Sequence, residues 1–258
     1  MRAELRAIGA LGLRSIRNTF RYPRYLGPIL VFPTLFLAVN TGGAGGAIDL
    51  PGFPEVHGFL DFQLAAGILQ ASLLAAVMGG TGLALDIELG FTDRLLAAPI
   101  RRPTIVLGRL AATFVLGMFA AVWFLAIGFA FGAIVKGGVL GVIFVILFGG
   151  LTATAFGGIA SAIALKSGTA SVVQGMFPLV FVILFVSSAF FPAELMQEPS
   201  QTIAHYNPVS LVAAGIRGPV VFGLSASDTL DGLLGLAIIG GLGFVLSAWG
   251  LRARLRAS

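Results

Sequence analysis

The chain has 258 residues, of which 57% are hydrophobic and only 10% charged, with a mean hydropathy of +1.00, so the bilayer is the solvent that suits it. Sixteen Lys/Arg against eleven Asp/Glu leave a net charge of +5, but the Arg residues sit at the ends of apolar stretches and not on one solvated face, which excludes nucleic-acid binding as the source of the basicity. The absence of Cys excludes disulfides, Cys-ligated zinc and thiol nucleophiles.

In chain order, residues 2–21 come first. Leu5, Ile8, Leu13, Ile16 and Phe20 gather on one arc at about 100° per residue, and Arg6, Arg14, Arg17 and Arg21 on the next. This is an amphipathic helix lying at the cytoplasmic interface. Its Arg residues interrupt any continuous apolar region, so no cleavable signal is expected there. A first span is predicted from about Leu26 to Asn40, distorted by Pro28 and Pro33, with Tyr22 and Tyr25 as interfacial anchors. A Gly/Pro-rich outer loop, 41–58, leads to a second span, Asp61–Leu85, and to a charged inner segment, Asp86–Pro103. The third span is read as Ile105–Val135 with Arg109 low enough to snorkel. A Gly137-Gly138 outer turn, a fourth span at Val139–Leu165, an inner turn at Lys166-Ser167-Gly168 and a fifth span at Ala170–Phe191 follow. Residues 192–228 hold apolar pieces too short to span, so they are expected to form a helical hairpin that enters from the outer face and returns. The sixth span is Leu233–Leu251.

This threading is an all-α membrane protein with six transmembrane helices and a single domain over 1–258. It puts fourteen of the sixteen Lys/Arg on one side; only Lys136 and Arg217 fall on the other. Cationic flanks mark the cytoplasmic side, so both termini are expected there, in the cytoplasmic (inner) membrane. No catalytic residue or metal ligand set is predicted: the two histidines, His57 and His205, have no partner at ligand spacing, and no Gly-x-x-x-x-Gly-Lys motif precedes a nucleotide. Asp61, Asp86, Glu194, Asp228 and Asp231 fall at or beyond span ends, which argues against ion-coupled transport.

The inner segment is the most informative stretch. Ile87, Phe91 and Leu95 recur every four residues as an apolar ridge, with Asp93 and Arg94 facing elsewhere, and Pro99 and Pro103 stop the short helix. The run Glu88-x-Gly-x-x-Asp-Arg-Leu-Leu-Ala-Ala-Pro-Ile-Arg-Arg, followed by Gly108-Arg109, resembles the segment after the second span in ABC-2 type permeases, most closely the drug-resistance and antibiotic-export branch. A second stretch, Ser-Ser-Ala-Phe-Phe-Pro-x-Glu-Leu-Met from Ser187 and then Asn207-Pro208, resembles the end of the family's fifth span and its outer re-entrant helices. The Arg-rich first helix looks like the family's connecting helix. Asp93 stands where Glu is expected before Arg-Leu-Leu, a swap that keeps the charge.

The resemblance implies a permease that pairs with a second permease chain, more readily a copy of itself than a different one. Two copies of a separate subunit would bind ATP and Mg²⁺, this chain carrying no cofactor and no enzymatic activity. Residues 2–21 would be the connecting helix, 86–103 the coupling segment and 192–228 the outer re-entrant region. Glu88, Asp93, Arg94 and Arg101 would then be charged contacts to the ATPase, with Phe91 and Leu95 as the ridge. The second and fifth spans would line the substrate path through Gln63, Gln70, Ser72, Gln174, Phe177, Phe181, Phe185, Ser187 and Ser188, with Phe190 and Phe191 as outer gate. The expected activity is export of a hydrophobic or amphipathic small molecule (drug, antibiotic or lipid). Export of a lipid-linked polysaccharide on the same architecture is one alternative, and a channel or transporter without an ATPase partner is the other.

Overall fold

The structure is a computed structural model that describes residues 2–21, 26–97 and 101–257. The anchors expected at Tyr22 and Tyr25 and the helix stop expected at Pro99 lie outside them. Among the described residues every regular element is helical. The first, α1 (Arg2–Arg21), matches the predicted amphipathic helix, with Glu4 in its first turn and Arg21 in its last, each complementing the helix dipole. It lies along α5 (Pro103–Ala130) so closely that a Cβ on Gly108 would sit 2.7 Å from the Leu11 Cβ.

The helix α2 (Gly27–Gly43) opens with Pro28 in the first turn, where a missing N–H is not needed, and keeps Pro33 inside. Then come α3 (Phe59–Glu88), the short α4 (Phe91–Ala97), α5 and α6 (Gly138–Ser167). Among the described residues four helices are long and apolar enough to cross a membrane: α3, α5, α6 and α11 (Ala226–Ala257). At about 1.5 Å per residue the 30 residues of α3 reach about 45 Å, ample for a ~30 Å hydrocarbon core. Shorter apolar helices occupy Gly27–Gly43, Ala170–Phe185 and Pro208–Phe222.

The bundle is built around α3. Its apolar window is 83% buried within the chain, against 44% for α5 and α6 and 33% for α11, so α3 is the core and the others face outward. Phe62, Leu64, Ile68, Leu69 and Leu73 of α3 are fully buried, together with Phe124 of α5 and Phe148 of α6. Small residues set these close approaches, as expected where helices pack in lipid. A Cβ on Gly80 would lie 2.9 Å from the Ala160 carbonyl carbon, and one on Gly158 2.9 Å from that of Gly243.

The predicted fifth span is not one helix. It is α7 (Ala170–Gln174), a turn at Gly175–Met176, and α8 (Phe177–Phe185). Pro178 in the first turn of α8 explains the break, because Pro starts a helix readily and does not continue one. The predicted third span is also shorter than expected: α5 ends at Ala130, and the following turn hydrogen-bonds through Lys136 N to Val220 O (3.0 Å) and Gly137 N to Pro219 O (2.9 Å). Between α8 and α11 lie α9 (Ser200–Tyr206) and α10 (Pro208–Arg217), the latter running on into a wider turn at Gly218–Phe222. Asn207 joins these pieces. Its side-chain oxygen accepts from Val209 N (2.9 Å) as the cap of α10, while its amide donates to Val186 O (3.1 Å) at the end of α8.

Candidate functional site

The end of α3 and the start of α4 form a corner on which four other helices converge. Asp86, in the last turn of α3, accepts from both Nη atoms of Arg14 on α1, at 3.2 and 3.1 Å. It also accepts from Arg109 Nη2 on α5. That same Nη2 donates to Gly82 O at 3.0 Å. The Arg14 guanidinium stacks 3.7 Å above the centre of the Phe91 ring on α4. Glu88 Oε1 accepts from Ala170 N at 2.8 Å, so a residue of α3 caps the first turn of α7. Asp93 pairs with Arg254 of α11 at 3.3 Å, and Arg101 with Glu4 of α1 at 2.6 Å.

The sequence-predicted coupling residues are therefore brought together, in two groups. Glu88, Phe91, Asp93 and Arg101 each contact another helix of this chain; Arg94 is exposed, and Leu95 packs half-buried against the small core formed by Leu83, Ile87 and Leu165. Sequence reasoning missed the Arg14–Asp86–Arg109 cluster that holds them. The signal was present, since Asp86 and Arg109 are opposite charges in the adjoining ends of consecutive spans, and charges at that depth pair.

The predicted pathway residues divide by helix. Gln63, Gln70 and Ser72 of α3 lie inside the chain, each no more than 1% exposed. Gln63 donates to Phe190 O (3.2 Å); the Gln70 amide and the Ser72 hydroxyl make no hydrogen bond among the described residues. On α7 and α8, Gln174 and Phe185 are exposed and Phe177 and Phe181 half-buried. The aromatic stripe meets α2 edge to face: Phe32 lies 5.1 Å from Phe181 and 6.0 Å from Phe177, and Phe36 lies 6.0 Å from Phe185. Phe190 is buried against Phe36 (5.0 Å) and Phe185 (5.3 Å), whereas Phe191 is exposed. Ser187 is buried and donates to Leu184 O (2.7 Å); the Ser188 backbone N–H donates to Ser210 Oγ (3.0 Å).

Arg217, an exception to the charge asymmetry, is buried. Its Nη2 donates to Ser188 O and Ala189 O, both at 2.8 Å, and its guanidinium lies 3.9 Å over the Phe62 ring. It pins α10 to the segment that carries Phe190.

Two cavities flank these groups. One of about 250 Å³ lies between α1, α3 and α5, beside Asp86. The other, of about 600 Å³ and mostly apolar, lies between α2, α3 and α5 at the ends remote from that corner, lined by Thr34, Leu37, Phe59, Ile127 and Phe131 among others. No group of metal-binding side chains occurs among the described residues.

A bundle of long apolar helices with a charged corner at one end is the build of a membrane-embedded protein. Residues 6–220 match the ABC-2 type transporter family, and this chain belongs to it. It is 30% identical over 203 residues to the daunorubicin resistance ABC transporter permease protein DrrB1 of Streptomyces coeruleorubidus, covering 76% of this chain and 68% of that one. The chain is thus an ABC-2 permease of the drug-resistance branch, and the family is one of transmembrane, non-catalytic subunits.

Proposed function

We propose that this chain is the permease of an ATP-driven exporter that moves a hydrophobic or amphipathic small molecule, such as a drug, antibiotic or lipid, out across the cytoplasmic membrane. ATP and Mg²⁺ bind two copies of a separate subunit, and two copies of this chain form the transmembrane dimer. In this reading α2 and the broken α7–α8 pair complete six spans, both termini are cytoplasmic, and α9–α10 form an outer re-entrant hairpin within one domain.

The observation that carries the reading is the corner at α4. A helix that receives force from an ATPase must be tied to the helices that move, and α4 with its flanks is linked to α1, α5, α7 and α11 through Phe91, Asp86, Glu88, Arg101 and Asp93. Arg94 and Leu95 then meet the ATPase. The substrate path runs between α3 and α8, past Gln63, Gln70, Gln174, Ser187, Ser188 and the Phe177–Phe181–Phe185 stripe, closed outside by Phe190 and Phe191. The unpaired Gln70 amide supports this: a buried amide without a partner costs about 1–3 kcal/mol, so a state that opens it to water or substrate is favoured at that residue.

The test is recovery of the tagged chain from its native membrane. A stoichiometric ATP-binding subunit is expected, with substrate-stimulated ATP hydrolysis that Arg94→Ala uncouples from transport. Recovery of the chain alone under detergent mild enough to keep dimers overturns the proposal.

A further inference from the structure

The cavity beneath α1 has a chemistry that coupling does not use. We propose that it binds the phosphate and glycerol of an anionic phospholipid from the leaflet on the Arg-rich side of the membrane. Only the name of that leaflet rests on the orientation proposed above.

Three features point to a lipid. The first is depth. The cavity is lined from Met78 of α3 to Leu89 just past its end, eleven residue steps or about 16 Å, which is one leaflet of a ~30 Å hydrocarbon core. The second is the gradient of its walls. Arg14, Asp86 and Arg109 put the charge at one end, whereas Met78, Ala112 and Leu116 lie further along α3 and α5, with Asn18 and Thr19 following Arg14 along α1, whose Phe20 meets Phe119 of α5 (5.0 Å). The deep Thr81 and Thr113 do not change this, because their hydroxyls are already donated to Val77 O (2.9 Å) and Arg109 O (3.1 Å) of their own helices. Polar at the interface and apolar below is the order of a phospholipid.

The third feature is charge. Arg14, Ser15, Asn18 and Thr19 share about 140° of α1 at 100° per residue, so one face of that helix walls the cavity. Two guanidiniums face one carboxylate, which leaves the lining one positive charge in excess. Arg14 engages Asp86 through two N–H groups, and about three of its five donors remain for a phosphate. Basic pockets between membrane helices suit anionic head groups for this reason. At about 250 Å³ the space equals some eight waters at ~30 Å³ each, enough for a phosphoglycerol but not for acyl chains, which stay in the bilayer.

The experiment uses the full chain in mild detergent, equilibrated with equimolar phosphatidylglycerol and phosphatidylcholine of matched chains and read by native mass spectrometry. It needs neither the ATPase nor transport, so it fails independently of the exporter reading. One phosphatidylglycerol per chain is expected, favoured by about tenfold or more over phosphatidylcholine. Arg14→Gln should abolish the preference. Asn18→Phe should do so too, filling the mouth from an exposed position while leaving the Arg14–Asp86 pair in place. The double variant Arg6→Gln/Arg17→Gln removes two charges from α1 outside the cavity lining and should retain the lipid. Absence of selectivity, equal loss in that double variant, or full retention in Asn18→Phe overturns the proposal. Displacement of the lipid by millimolar glycerol 3-phosphate also overturns it, assigning the site to a soluble phosphate.

Discussion

Replacing Asp86 by Asn isolates the charge at the coupling corner. Asp86 accepts three hydrogen bonds from two guanidiniums, and Arg109 is the more enclosed of those partners, its side chain 11% exposed against 38% for Arg14. Asn keeps the size and one acceptor and removes the charge. Opposite charges about 4 Å apart attract by roughly 4 kcal/mol at an effective dielectric near 20. Removing one partner of a buried pair costs about 3–5 kcal/mol, because the other charge stays behind. Arg14 is open enough to rehydrate, but Arg109 is not, so we expect Asp86→Asn to lose about 3 kcal/mol. Glu4→Gln, which breaks the pair with the 79% exposed Arg101, should lose less than about 1 kcal/mol. Asp86→Leu with Arg109→Met should recover most of the loss, since no orphaned charge remains in the helix. The assay is reversible unfolding of the purified chain in mixed micelles, titrated with dodecyl sulfate and followed by helicity. Wild-type stability of Asp86→Asn, or a double variant no better than the single one, would refute the reasoning.

Other positions give separate tests. Glu88→Ala removes the acceptor for Ala170 N, should destabilise the start of α7 by about 1 kcal/mol and uncouple ATP hydrolysis from transport; Glu88→Gln keeps an acceptor and should stay largely coupled, so equal defects in the two would argue against the cap. Phe181→Ala removes ring contacts to Phe32, Phe36 and Phe177, each worth about 0.5–1.5 kcal/mol, and should alter drug-stimulated ATPase activity of the reconstituted complex. An unchanged response across a panel of hydrophobic drugs would assign the stripe to packing. Gly158→Leu places a side chain against the Gly243 backbone and should cost about 1–3 kcal/mol in the same unfolding assay; an unshifted curve would show that α6 and α11 separate freely.

The sequence was legible where a single helix decides the outcome. The spacing of Arg and Leu over 2–21 is a property of one helix, and α1 occupies those residues. The four long spans were likewise found, because length and hydropathy are local; the sixth is the least accurate, since α11 begins at Ala226, well before the expected Leu233, and runs on past Leu251. What depends on a neighbour was not legible. Gln63 and Gln70 share a face by their seven-residue spacing, but spacing does not say what covers that face. Gly67, Gly79 and Gly80 of α3 let α5 and α6 close in on it, but which helix meets each glycine is tertiary. Arg217 read as an outer cation, yet it is buried because Ser188 and Ala189, nearly thirty residues away, turn their carbonyls to it. The break in the fifth span was within reach, since Gly175 and Pro178 are local helix-stopping signals.

These packing differences bear on how force would travel in the proposed exporter. From Asp86 to Gln63 is 23 residues of unbroken α3, about 35 Å, closely packed on all sides. Such an interior transmits a displacement instead of absorbing it. The α7–α8 pair has the opposite construction. Its inner piece is tied to α3 through Glu88, whereas its outer piece begins afresh after Gly175–Met176 and leans on α2 through phenylalanine edges. A push at α4 would therefore carry α3 and α7 together, whereas α8, which begins only after the Gly175–Met176 turn, need not follow as one rod with α7. Relative motion of α3 and α8 acts on the bond from Gln63, near the start of α3, to the carbonyl of Phe190 in the segment that follows α8. Breaking that bond would uncover the path between them. On that reading one continuous helix beside one interrupted helix has a use: two rigid spans in that position would move as a block, and Gln63 would not part from the Phe190 carbonyl.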